Sequence, residues 1–271
     1  MSTRAPTVLD RILAQTREEV ERRKRDTPLP EHASDEHTAP AGGRSLRDAL
    51  RAPGIGVIAE FKRRSPSAGT LRDDPDLLQI VDAYLRGGAV AVSVLTEGPN
   101  FGGSLEDLRA ARAACPLPLL RKDFIVDPYQ LLEARDAGAD AVLLIVAALE
   151  PTQLASLLHR ARALALDALV EVHDRDELHT ALEAGADIVG INNRDLRDFS
   201  VEVQRTERLL DEVPPGVTVV SESGISSAGQ LQRLAQQGVQ GVLVGESLMR
   251  SPDPAVALAE LQSFRDADVA L

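Results

Sequence analysis

Lysine is rare in this 271-residue sequence: of its 30 basic residues only Lys24, Lys62 and Lys122 are lysines, and the others are arginine. Arginine keeps its proton at any working pH, whereas a lysine can give its proton up, so a scarce lysine marks a place where an exchangeable ammonium is specifically required. Lys24 lies in the charged run ERRKR (21–25) and reads as an ordinary surface residue. Lys62 closes the apolar run VIAEFK (57–62) two positions after Glu60, and Lys122 stands in PLLRKD (118–123) two positions before Phe124. Glu171 interrupts ALVEVH (168–173), Asn192 ends DIVGIN (187–192), and Glu222 with Ser223 ends TVVSES (218–223). Ammonium and carboxylate groups set into apolar surroundings suit general acid–base chemistry, in which one group donates a proton and another removes one.

The elements that must position these groups follow a simple repeat. From Gly56 onward, eight apolar runs of strand length each precede a helix-like stretch: the five just quoted, VAVSVLT (90–96), AVLLIV (141–146) and GVLVGE (241–246). Helix-ending glycines introduce several of them, as in AGADAVLLI from Ala137 and AGADIVGIN from Ala184. Such a glycine takes the left-handed C-cap conformation and leads into a strand buried on both faces. Eight βα units in succession predict an α/β protein of the (β/α)8 TIM barrel class. An open dinucleotide-binding sheet is the weaker alternative, since no GxGxxG follows the first strand.

In such a barrel the chemistry gathers at the C-terminal ends of the strands. Glu60, Lys62, Lys122, Glu171, Asn192 and Glu222 all belong to that end. A plug of mutually neutralising salt bridges is the plain alternative; it accounts for charge balance but not for lysine where arginine would serve. ESGIS (222–226) and VGES (244–247) put Gly224 and Gly245 in the loops after the seventh and eighth strands, the usual phosphate corner of this fold. Arg194, beyond the sixth strand, is within reach of the same anion.

Ahead of the barrel, Thr7–Arg25 carries Leu9, Ile12, Leu13, Thr16 and Val20 at helical spacing, with Thr7 as N-cap and Asp10 three residues on. Asp26–Arg44 is rich in Pro, Gly and short polar residues and reads as a loop or linker. The expected division is an N-terminal helical extension, 1–44, and a single catalytic barrel, 45–271. A net charge of −12 disfavours nucleic acid and anionic membrane as partners, and 44% apolar residues exclude global disorder. The longest apolar stretch, 141–149, falls well short of the ~20 residues a membrane span needs. One cysteine, Cys115, permits no intrachain disulfide or thiolate cluster, and MSTRAPTVLD has neither a signal core nor a transit composition, so a soluble cytoplasmic protein is expected.

Segment by segment, IAEFKRRSPSAG (58–69), SVLTE with FGGS (93–97, 101–104), LLRKDFIVDPYQ (119–130), LVEVHD (169–174), VGINNRDL (189–196), SESGI (221–225) and GVLVGESLM (241–249) resemble the indole-3-glycerol phosphate synthase family of tryptophan biosynthesis. The resemblance runs in order from the N-terminal helix to near residue 250. It implies a carboxy-lyase built as one barrel with an N-terminal extension across the mouth. The reaction implied converts 1-(2-carboxyphenylamino)-1-deoxyribulose 5-phosphate into indole-3-glycerol phosphate, carbon dioxide and water, with no metal or organic cofactor. The same resemblance makes Lys122 the principal general acid and Glu171 the base of the dehydration. Lys62 would hold the substrate carboxylate and protonate the leaving hydroxyl, Glu60 and Asn192 would orient hydroxyls and lysines, and Glu222 would complete the charged ring. Ser65 would support the carboxylate end; Phe101, Phe124 and Leu143 would wall the aromatic ring, and Leu243 would also bind substrate. Arg194, Ser223, Gly224, Gly245 and the backbone of Glu246 would hold the phosphate. The partner implied is a phosphorylated small molecule, and the resemblance leaves room for association with other enzymes of tryptophan biosynthesis.

Two positions depart from the family pattern. Glu246 stands where many relatives carry a small serine or alanine, and its carboxylate is expected to turn away from a phosphate; Ala68 replaces the lysine of the common SPSKG. His173, also at a strand end, is read as pointing away from Glu171 and serving as a packing or surface residue. Two rival functions remain at this stage: a barrel lyase or aldolase with Lys122 as Schiff-base nucleophile, and a non-catalytic sensor of a phosphorylated ligand.

Overall fold

In this computed structural model residues 7–28, 44–195 and 200–264 are described, so most of the expected linker lies outside them. Eight parallel strands close on themselves: β1 (Gly56–Phe61), β4 (Ala91–Leu95), β5 (Leu119–Lys122), β6 (Ala141–Ile145), β7 (Asp167–Val172), β8 (Ile188–Asn192), β9 (Thr218–Glu222) and β10 (Gly241–Val244). Each lies within two residues of one of the eight apolar runs, and β1 shuts the ring by pairing with both β4 and β10. The (β/α)8 TIM barrel is therefore the fold. A short hairpin that the sequence does not announce, β2 (Arg64–Ser65) with β3 (Gly69–Thr70), sits in the loop after β1.

Side-chain alternation divides each strand between two cores. Val57, Ala59, Val92, Val142, Leu144, Val170 and Val172 pack outward against the helices. Ile58, Leu120, Leu143, Leu169, Ile188, Val220 and Leu243 fill the interior. Continuing the inward parity by two residues along each strand reaches Glu60, Lys122, Glu171 and Glu222, so the pattern that buries the core also aims these groups into the mouth.

The surrounding helices are α3 (Leu77–Arg86), α4 (Leu105–Ala114), α5 (Pro128–Asp136), α6 (Pro151–Ala163), α7 (Arg175–Glu183), α8 (Gln204–Leu210), α9 (Ala228–Gln236), α10 (Glu246–Arg250) and α11 (Pro254–Leu261). Two more precede the barrel, α1 (Val8–Asp26) and α2 (Leu46–Arg51). Thr7 and Asp10 form a capping box at the start of α1, as their spacing predicts. Leu9, Ile12 and Leu13 of α1 join Phe124, Val126 and Ala148, which lie beyond the strand ends, so the helix covers one side of the mouth. Lys24 is more than a solvated charge: its Nζ donates to Asp127 at 2.6 Å, and Arg23 Nε donates to Glu133 Oε1 at 2.7 Å, fastening α1 to α5. At the opposite end α2 seals the barrel with the buried Leu46 and Leu50, while Ser45 Oγ and Arg47 N donate to Asp167 at 2.9 and 3.0 Å. Among the described residues no helix is long and apolar enough to cross a membrane.

Candidate active site

The mouth holds a cleft lined by both charged and apolar side chains. Glu60, Lys62, Ser65, Phe101, Lys122, Phe124, Leu143, Glu171, Asn192, Arg194, Glu222, Ser223, Leu243 and Glu246 all line it. Gly224 and Gly245 line an adjoining recess shared with Arg194 and Arg250. The strand ends thus bring every candidate residue of the sequence to one place.

At the centre Lys122 Nζ stands 3.4 Å from Glu171 Oε2 and 3.5 Å from Glu222 Oε2. Lys62 Nζ donates to Glu60 Oε1 at 2.6 Å. Burial pulls the Lys122 ammonium down, but the carboxylates of Glu171, Glu222 and Glu60 outweigh it and its pKa is raised. Burial pushes Glu171 up, yet Lys122 and then His173 outweigh it, and its pKa is lowered. Glu222 goes the other way: burial raises it, Glu171 and Glu60 add to the rise, and Lys122 only partly opposes them. Two carboxylates beside one ammonium therefore separate into an ionised group and one favouring its neutral form. Glu222 Oε1 is buried and accepts no hydrogen bond from the described residues, as suits that assignment.

His173 does not point away from Glu171. Residues 171 and 173 share a parity, and His173 Nε2 lies 3.4 Å from Glu171 Oε1, a close ion-pair distance without the alignment of a hydrogen bond. On its other side Glu177 Oε2 is 3.0 Å from Nδ1 and accepts the His173 backbone N–H at 2.7 Å.

Among the apolar residues of the cleft, the Phe101 and Phe124 rings are 6.2 Å apart and tilted by 42°. Glu97, which the sequence reading passed over, fixes Phe101 by accepting its backbone N–H at 2.9 Å. Asn193, also passed over, is fully buried and donates to Ser221 Oγ and the Ser223 carbonyl at 3.1 and 3.0 Å. That clamp supports the turn after β9, where Ser223 has φ 64° and Gly224 φ 82°. A serine in the left-handed region costs about 1–3 kcal/mol, a strain that here falls at the cleft wall.

Glu246 does not turn away either. Its carboxylate lines the cleft and spans two guanidinium groups, 3.7 Å from Arg194 and 3.3 Å from Arg250. The glycine before it has a second use, because a Cβ on Gly245 would strike the Glu60 carboxylate. Gly190 does the same for Glu222. Both glycines make room for charged groups, a duty their sequence context does not reveal. Gly245→Val should therefore lower kcat as well as raise KM, by roughly 10²-fold for a displacement on the ångström scale. Steady-state kinetics would show this, and a change in KM alone would mean that the glycine serves phosphate approach only.

A family model described as indole-3-glycerol phosphate synthase matches residues 9–261. Indole-3-glycerol phosphate synthase 2 of Streptomyces coelicolor is 56% identical over 218 residues, covering 80% of this chain and 84% of the relative. The synthase of Kineococcus radiotolerans is 49% identical over 260 residues, 94% of each chain. Among solved structures, 3-hexulose-6-phosphate synthase from Salmonella typhimurium matches with a TM-score of 0.62 at 16% identity, over 78% of this chain and 99% of that one. Thiamine phosphate pyrophosphorylase from Pyrococcus furiosus matches with a TM-score of 0.60 at 19% identity, over 82% and 98%. These two likenesses concern the fold alone.

Proposed function

This chain belongs to the indole-3-glycerol phosphate synthase family, and we propose that it closes the indole ring of 1-(2-carboxyphenylamino)-1-deoxyribulose 5-phosphate with loss of carbon dioxide and water. The aromatic carbon bearing the carboxylate attacks the ketone while Lys122 gives its proton to the carbonyl oxygen. Carbon dioxide then leaves and restores the electrons of the ring. In the last step the new hydroxyl departs as water and Glu171 takes the proton whose loss makes the indole aromatic. Lys62 holds the substrate carboxylate and protonates the departing hydroxyl, with Glu60 fixing its ammonium at 2.6 Å. Phe101, Phe124, Leu143 and Leu243 receive the aromatic ring, Ser65 supports the carboxylate end, and Asn192 orients the hydroxyls. The phosphate enters the recess beside Arg194, Ser223, Gly224 and Gly245, where it must displace the carboxylate of Glu246 from Arg194. The acidic, single-cysteine chain suits a reducing compartment, and the reading places it in the cytoplasm.

One observation carries this reading: Lys122 stands as an ammonium within 3.5 Å of both Glu171 and Glu222, in a cleft that Phe101 and Phe124 also line. An acid must start protonated, and this one does. A Schiff-base nucleophile must start as the free amine, and the raised pKa works against it. Borohydride added during turnover is expected to leave Lys122 unlabelled. A substrate-derived covalent adduct on Lys122 would replace the acid reading with the aldolase-like one.

A further inference from the structure

Beside the cleft, His173 is a buried ionisable group to which the reaction gives no task. His173 is packed between two carboxylates, Glu171 from β7 and Glu177 from α7. Each oxygen of Glu171 consequently faces a different cation, Lys122 at Oε2 and His173 at Oε1, both at 3.4 Å. We propose that His173 is a positioning residue for the dehydration step, holding Glu171 in place and ionised after Lys122 has released its proton. The inference rests on the reading of Glu171 as the base.

The need arises from the order of proton transfers. Lys122 gives up its proton in the first step, and Glu171 then loses one of its two countercharges before it has acted. A fully buried carboxylate beside Glu222 and without a cation would take up a proton and cease to be a base. His173 meets this need because its own charge is secured from outside the cleft. Glu177 accepts both the ring Nδ1–H and the backbone N–H with one oxygen, and its own backbone N–H donates to Asp174 at 3.0 Å. Burial pulls the imidazole down, but Glu171 and Glu177 together raise it to about 10, so it stays charged through neutral pH. The other groups facing Glu171 are Asn192, whose side chain also helps keep the carboxylate ionised, and Glu222, whose carboxyl group is linked to it through mutual repulsion. His173 is thus the cation that remains.

The test is the pH profile of kcat for the intact protein and its His173→Gln, Glu177→Gln and Glu171→Gln variants. Removing the imidazolium raises the Glu171 pKa, so the acidic limb of His173→Gln should move to higher pH by about one unit. Turnover at neutral pH should fall roughly tenfold with KM nearly unchanged, as for an interaction made after substrate binding. Glu177→Gln leaves the histidine in place but weakens its charge, and its limb should move the same way by less. A purely structural histidine would lower Tm and the active fraction without moving the limb. Unmoved limbs in both variants, with Glu171→Gln inactive, would overturn the inference and leave the base in place. Near-normal turnover of Glu171→Gln would instead overturn the reading beneath it. Should His173→Gln not fold, the limb of Glu177→Gln decides alone.

Discussion

Lys122→Arg should reduce kcat by roughly 10²–10⁴, the usual worth of a positioned acid, while substrate still raises Tm by mass action. The substitution keeps a positive charge between Glu171 and Glu222, so any purely electrostatic duty survives it. Guanidinium is a far weaker acid than ammonium, so a proton-donating duty does not. Lys122→Met is the control for shape: it should be as inactive as the arginine variant, and it also removes one of the two cations beside Glu171. Near-normal turnover in Lys122→Arg would return the charged mouth to a set of salt bridges. The cleft already argues against such a plug, because the charged groups line an open space together with Phe101 and Phe124.

The second large effect is expected at the last chemical step. Glu171→Gln preserves shape but cannot accept a proton, so kcat for indole formation should fall by roughly 10²–10⁴. Ring closure and decarboxylation precede its action and should continue. A single turnover of the variant should therefore release carbon dioxide ahead of indole, with the hydroxylated ring-closed compound accumulating, whereas the native protein releases both together. Loss of carbon dioxide and indole in equal measure would move Glu171 to an earlier step. Unimpaired indole formation would remove it from the chemistry and favour a sensor that needs no base.

How much of this was legible in the sequence depends on the range of the physics involved. The barrel was, because strand length, apolar continuity and the helix-ending glycines are local signals repeated eight times. The candidate residues were also legible, since alternation along a strand turns Glu60, Lys122, Glu171 and Glu222 inward without any long-range information. His173 was open to the same argument: it lies two residues beyond Glu171 and so shares its face, and the reading that turned it outward misapplied the parity. Glu246 was beyond this kind of reasoning, because its direction is set by Arg194 and Arg250, which come from another strand end and another helical turn. The same holds for Gly190 and Gly245. A sequence shows that a side chain is missing, not that Glu222 or Glu60 fills the space. The hairpin β2–β3 and the plug α2 are too short to establish a periodicity of their own.

The most direct measurement is the appearance of indole when 1-(2-carboxyphenylamino)-1-deoxyribulose 5-phosphate is added to the purified protein. The chain contains no tryptophan, so no indole of the protein's own underlies the new absorbance and fluorescence. The account predicts an indole signal that grows with turnover, matched one for one by carbon dioxide and abolished in Lys122→Met. A substrate that binds and stabilises the protein yet yields neither indole nor carbon dioxide would contradict it.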